Sequence, residues 1–251
     1  MTRSAENAAR QARHDLALGL EGPVPDILHS LEHDAGVAVM VARLPDGGPA
    51  GAYTVERGQP FILVNSNDPL VRQRFTLGHE YGHHCLGHGD MLDERIVWDA
   101  TDPKEAGANS FAAEFLMPVA AVNLWFETHR PLGVDLDVLV RLANDFSVSC
   151  EVALWRSKAS GRLDALQSDR LKARLDAREH WGLRRELGLV PLVDTLFTAQ
   201  SRTVRVPGQM VEYVLQACDA GVIDEDVAAQ RLRIGLDDVR MLAQQRDAPD
   251  E

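Results

Sequence analysis

The sequence predicts an α+β fold: a small, mostly antiparallel sheet with two prominent helices, followed by a mainly helical C-terminal part. Three observations carry that reading. Valine-rich segments separated by turn residues cluster between positions 37 and 65. A long helical pattern opens at Asp68-Pro69. From Asp102 onward almost every segment has helical periodicity, with no repeat and no low-complexity tract.

The elements follow in order. Ala8, Ala9, Ala12, Leu16 and Leu20 recur near helical spacing, so residues 4 to 20 are expected to form an amphipathic helix, broken by Gly22-Pro23 and Pro25. Asp26 can cap a second helix reaching His33, with Gly36 as its stop. Val37 to Leu44 reads as a strand, and Asp46-Gly47-Gly48-Pro49 as a turn. Ala50 to Arg57 and Pro60 to Asn65 read as two more strands, joined through Arg57-Gly58-Gln59. A helix then runs to about Leu86, with Gly87 and Gly89 as stop signals, and another runs from Asp102-Pro103 to Pro118. Residues 157 to 185 are the most polar long stretch and read as a linking segment. Val206 to Ala220 and Val227 to Gln245 read as amphipathic helices.

Composition narrows the function classes. Hydrophobic residues make up 45% and charged residues 25% of the 251 positions, which excludes general disorder. No apolar run approaches the ~18 residues a membrane helix needs, and the polar N-terminus has no secretory pattern. Cys85, Cys150 and Cys218 are too few and too scattered for a disulfide framework, so a cytoplasmic location is expected. The net charge of −12 disfavours nucleic acid as a partner of the whole surface. From position 190 to the end, six arginines face eleven acidic residues, which disfavours phosphate contact there as well.

The chemistry concentrates in Arg74 to His88, RFTLGHEYGHHCLGH. His79-Glu80-Tyr81-Gly82-His83 is an HExxH motif, for which this composition gives a chance expectation of only about 0.02. Four helical residues advance about 400°, so the two histidines lie about 40° apart on one face, as two ligands of one zinc ion must. Glu80 lies about 100° round from His79, placed to take a proton from a water polarised by the metal rather than to ligate. Surface histidines on an ordinary helix are the competing reading, and the apolar neighbours Phe75 and Leu86 weigh against it. His84 and His88 read as rim or surface residues.

A catalytic zinc site needs a third protein ligand and one open position. Asp102 to Pro118, DPKEAGANSFAAEFLMP, offers Glu105 and Glu114 on opposite faces of one helix, so only one can reach the metal. Asn109, one turn after Glu105, can hydrogen-bond a ligand histidine and fix its tautomer. Glu105 also fits a capping role behind Asp102, and Asp93, Glu94 and Asp99 remain open as ligands.

RQRFTLGHEYGHHCL from Arg72 and ANSFAAEFLMP from Ala108 together resemble the ImmA/IrrE family of metallo-endopeptidases, over about residues 10 to 160. The resemblance implies zincin-like active-site helices, with His79 and His83 as zinc ligands and Glu80 as general base. The third ligand it implies is a glutamate on the following helix with a polar residue four positions on, which Glu105 and Asn109 match. Two departures are Gly107 in place of an acidic residue before Ala108-Asn109, and a histidine displaced to position 88 behind Gly87. The expected organisation is a zinc metallopeptidase domain over 1–160 and a helical region over 161–251 for packing, recruitment or regulation. The expected function is zinc-dependent hydrolysis of peptide bonds in an intracellular protein, with a transcriptional repressor implied as substrate by the resemblance.

Two other classes compete. One is a non-catalytic regulator holding zinc for structure, which has no need of Glu80. The other is a helix-turn-helix DNA-binding factor built from Leu136 to Ser157, LDVLVRLANDFSVSCEVALWRS, with Arg156, Lys158 and Arg162 as its positive charge. Tyr53, Tyr81 and His84 are candidate oxyanion donors. The expected edge for an extended substrate is Gly51 to Val55, where Gly51, Ala52 and Tyr53 would contact the peptide; the alternative is Phe61 to Asn65.

Overall fold

A computed structural model of the protein describes residues 2–45, 47–93, 96, 100–189, 205–232 and 234–246. In its sheet, Gln59–Asn65 (β3) is an inner strand with a partner on each side. Strand Ala38–Ala42 (β1) runs parallel to β3, pairing Val39 with Ile62 and Val41 with Val64. On the other side, Gly51–Glu56 (β2) forms an antiparallel hairpin with β3, with Tyr53 opposite Ile62. A short strand, Met91–Asp93 (β4), adds antiparallel to β2, giving the order β1-β3-β2-β4. Two of the three pairings are antiparallel, as expected. Ile62 and Val64 alternate onto the buried face and are fully enclosed.

Helix Thr2–Asp15 (α1) ends five residues earlier than its apolar spacing suggests. The cause is Arg13, fully buried, which donates to the carbonyls of Gly19 at 2.6 Å, Gly22 at 2.7 Å and Phe115 at 2.5 Å and so folds the chain back. Asp26 caps the short helix Ile27–His29 (α2) by accepting from the His29 backbone N–H at 3.0 Å. The helix continues as a π-turn over Ser30–Asp34.

Leu70–Leu86 (α3) and Pro103–Leu116 (α4) pack against each other, and α3 lies against β2 and β3 of the sheet. Glycines let them approach closely. A Cβ on Gly82 would stand 3.1 Å from the Phe111 ring, and one on Gly78 would stand 3.4 Å from Ala112 Cβ. Each of these glycines directly precedes a histidine of the motif, so the face turned to α4 sits beside the face carrying the histidines.

The chain continues through Val119–His129 (α5), Leu136–Asp145 (α6), Cys150–Ala159 (α7), Ala165–Asp176 (α8) and Glu179–Glu186 (α9). Leu139, Leu142, Val152, Ala153, Leu171 and Leu175 join the same core as the sheet. Helices Gly208–Asp219 (α10), Glu225–Leu232 (α11) and Leu236–Arg246 (α12) form a second apolar cluster around Leu215, Ala228 and Leu232. Just before this cluster, Arg205 bridges to Val41 of β1 and forms an ion pair at 2.5 Å with Glu32 of the π-turn. No helix among the described residues is long and apolar enough to cross a membrane.

The helix-turn-helix alternative does not fit this packing. The second helix of that motif, α7, has Val152, Ala153 and Leu154 in the core. Arg156, offered as DNA-facing charge, is buried, ion-paired with Glu114 and bonded to the Met117 carbonyl at 2.8 Å. Trp155, by contrast, is turned outward.

Candidate active site

The register of α3 brings His79 and His83 onto one face, both at 0% exposure. Their Nε2 atoms lie 3.0 Å apart. The two carboxylate oxygens of Glu105 complete a triangle, 3.2 Å from His79 Nε2 and 3.5 Å from His83 Nε2. Ligands bound at 2.0–2.1 Å in a tetrahedron stand about 3.3–3.4 Å from one another, so this spacing suits a zinc ion. The chemistry of the donor set agrees. Three lone-pair donors held this close repel one another unless positive charge lies between them. Among the described residues this is the one group of three or more His, Cys, Asp or Glu so placed.

The outward ring nitrogens are also engaged. His79 Nδ1 lies 3.0 Å from Asn109 Oδ1, which can only accept, so the proton sits on Nδ1 and Nε2 keeps its lone pair. His83 Nδ1 lies 2.9 Å from His88 Nδ1, and donation to His88 leaves His83 Nε2 free in the same way. The contact at His88 differs from the expected rim position. Gly87, with a left-handed φ of 67°, caps α3 and turns the chain back, with the His88 N–H bonded to the His83 carbonyl at 3.1 Å.

Glu105 approaches from the first turn of α4, which Asp102 caps through the N–H groups of Lys104 and Glu105. The cap belongs to Asp102, so the Glu105 carboxylate is available to the histidines. Glu114 is held elsewhere. Its carboxylate is buried between Arg10, at 2.7 Å, and Arg156. It ties α1, α4 and α7 together away from the histidines. Glu94 and Asp99 lie outside the described residues, and of Asp93 only the backbone is described.

Glu80 is fully buried and points to the sheet rather than into the triangle. A Cβ on Gly51 would stand 2.4 Å from Glu80 Oε1, so β2 leaves a missing side chain where the carboxylate lies. Two residues along β2 and four along α3 the contact repeats, with the Tyr53 hydroxyl 2.8 Å from His84 Nδ1. Burial lowers the His84 pKa, so its ring favours the neutral form. Burial, then the neighbouring Cys85 and Asp90, push the Tyr53 hydroxyl above its ordinary value, so it stays protonated. The Tyr81 ring is buried edge-on against Phe111 and Phe115, and its hydroxyl is hydrogen-bonded with Cys85.

The expected free edge at Gly51 to Val55 is not there. Gly51, Ala52 and Tyr53 pair with β3 on one side and with Asp93, Leu92 and Met91 of β4 on the other. Thr54 Oγ1 and the Val55 N–H are taken by Asp90. The alternative, Phe61 to Asn65, lies between β1 and β2. The physical reason is the double turn at Gly87 and Gly89, both at positive φ, which lays residues 91–93 back along β2. Gly51 is small for Glu80, not for a peptide backbone.

Comparison with known proteins places this geometry in context. Residues 32–158 match the model of the IrrE N-terminal-like domain, peptidase M78. The chain is 35% identical over 157 residues to the radiation response metalloprotease IrrE of Deinococcus radiodurans, covering 59% of this chain and 45% of that protein. It is 33% identical over 153 residues to the protein of the same name from Deinococcus deserti, covering 59% and 53%. It is also 31% identical over 85 residues to the uncharacterized immunity region protein 2 of Bacillus phage phi105, covering 33% and 53%. The chain thus spans about half the length of the curated relatives it matches.

Proposed function

The chain belongs to the IrrE N-terminal-like peptidase family, and from that premise we propose that it is a zinc-dependent endopeptidase that cleaves an intracellular protein in the cytoplasm. The observation that carries the reading is the convergence of His79, His83 and Glu105 with a separate buried carboxylate, Glu80, one residue along the same helix. A merely structural zinc site has no use for this second carboxylate. His79, His83 and Glu105 would hold the ion, and Asn109 and His88 would orient the two rings.

When bound, zinc supplies Lewis-acid polarisation of the scissile carbonyl and makes water acidic enough to give up a proton near neutral pH. Glu80 accepts that proton from the attacking water and delivers it to the leaving amine nitrogen. The close fit against Gly51 fixes the carboxylate for this transfer. Tyr53 orients His84 beside Glu80, and this pair is the candidate donor for the developing oxyanion.

A regulatory protein such as a transcriptional repressor is the proposed substrate. The names of the relatives, a radiation response metalloprotease and an immunity region protein, agree with such a partner. Residues 161–251 are proposed to add packing and substrate recruitment. The test is to express the chain and its Glu80→Gln variant in parallel and map new protein N-termini. New termini that need Glu80 support the reading; identical termini in the two samples would sink it.

A further inference from the structure

A pocket of about 270 Å³ lies where α1, α4 and α7 meet. Ala106, Ser110 and Ala113 of α4 form one wall, and Trp155 and Ala159 of α7 another. Glu6 of α1 supplies a carboxylate. Trp155 is 41% exposed, and the Lys158 ammonium lies 5.4 Å from the centre of its ring. The polar groups of the wall are acceptors. The Ser110 hydroxyl gives its proton to the Ala106 carbonyl at 2.8 Å, so its oxygen can take a bond from an occupant. Glu6 can only accept, and Arg156 stands 3.7 Å from it, beyond hydrogen-bond reach. Arg156 itself is committed, donating to the Met117 carbonyl at 2.8 Å and to Glu114. Asn109 also lines the pocket, and its side-chain carbonyl holds His79 Nδ1 at 3.0 Å. The pocket and the histidine triangle therefore share one side chain.

We propose that this pocket is a regulatory site for a neutral, planar two-ring heterocycle carrying N–H donors, of the aminopurine or indole class. The ring stacks on Trp155 and donates to Glu6 and Ser110, and its presence acts on the candidate zinc site through Asn109. The regulatory half rests on the zinc-site reading above; the binding half does not. Size sets the number of rings. A cavity of ~150 Å³ accommodates benzene, so this volume suits two fused rings. Charge sets neutrality. Glu6 disfavours an anion, while Arg156 and Lys158 disfavour a cation. Hydrogen bonding sets the donors. An aliphatic occupant of the same volume would cover the Glu6 carboxylate and offer it no proton, which costs desolvation without return. The indole of Trp155 adds the preference for a flat aromatic face. Because Asn109 belongs to both sites, a bond or shift imposed on its amide changes how His79 is held.

The first arm of the test needs neither metal nor catalysis. The indole N–H signal of Trp155, assigned with Trp155→Phe, is followed by NMR while the metal-free full chain is titrated with adenine and, separately, with indole. At least one should shift the signal saturably, and which one does tells the two subclasses apart. Benzoate and benzylammonium, charged single rings, should not. Ala159→Trp fills the pocket from an exposed position and should abolish the shift; Ala106→Phe, at a half-buried position, serves if Ala159→Trp does not fold. No shift with either heterocycle, an equal shift with a charged ring, or a shift that survives in a folded filling variant overturns the site. In the second arm, zinc affinity is measured by chelator competition with and without the bound heterocycle. It should change by about fivefold or more, and zinc should change the affinity for the heterocycle by the same factor. Asn109→Ala should keep the heterocycle and lose this coupling. Binding with unchanged zinc affinity overturns the regulatory role. Binding of the heterocycle to a chain that takes up no zinc would keep the pocket and defeat the zinc reading.

Discussion

A methyl group on Gly51 would stand 2.4 Å from Oε1 of Glu80 and 2.5 Å from Cγ2 of Thr76. Non-bonded contacts of a Cβ are essentially never that short, so Gly51→Ala must push the Glu80 carboxylate away. Misplacing a catalytic group by about 1 Å can cost on the order of 100-fold in rate. Gly51→Ala should therefore lose about that factor in kcat while keeping bound zinc. Metal analysis and cleavage kinetics on the same sample check it; a rate within twofold of the parent would show that the fit is not needed.

Glu80→Gln would remove the proposed proton acceptor and leave the shape. Zinc content and melting temperature should stay near those of the parent, and cleavage should fall by roughly 10²–10⁴-fold. Loss of zinc in this variant would make Glu80 a ligand, against the triangle of His79, His83 and Glu105.

The two glutamates of α4 should separate cleanly. Glu105→Ala should lose zinc and keep the fold. Glu114→Ala should keep zinc in the folded protein and lose about 3–5 kcal/mol of stability, because Arg156 would remain buried without its carboxylate. Denaturant unfolding with metal analysis distinguishes them, and the reverse pattern would move the third ligand to Glu114.

Asn109→Ala and His88→Phe each remove the hydrogen-bond partner of one histidine ring of the triangle. Zinc affinity should fall about 10–100-fold in each, with the secondary structure unchanged. Competition against a fluorescent chelator measures it. Unaltered affinity in both would mean that helix packing alone orients the histidines.

Removing the metal should lower stability as well as activity. A ligand at 1,000 times its Kd adds ~4.1 kcal/mol to the folded state, which is about 10 °C in Tm for a chain of this size. A chelator should shift the melt by that order, and added zinc should restore it. A melt insensitive to both treatments would argue that no zinc binds at the triangle.

The sequence by itself determined what depends on spacing along a single element. HExxH on a helix fixes His79 and His83 on one face and Glu80 beside them, because 3.6 residues per turn leaves no other arrangement. Aspartate and proline at 102 and 103 start α4, and its period puts Glu105 and Asn109 on one side and Glu114 on the other. Tertiary structure alone decided which side of α4 faces the histidines. The deciding groups are distant in sequence: Gly78 and Gly82 let α4 close in, while Arg10 and Arg156 claim Glu114 from 104 and 42 residues away. It also decided that β2 is not an edge, since β4 returns across it only after α3 has turned at Gly87. The apolar pattern of Leu136 to Ser157 fits either a DNA-reading pair of helices or two core helices. Only the buried neighbours of Val152 and Arg156 choose between them, because periodicity reports which face is apolar and not what covers it.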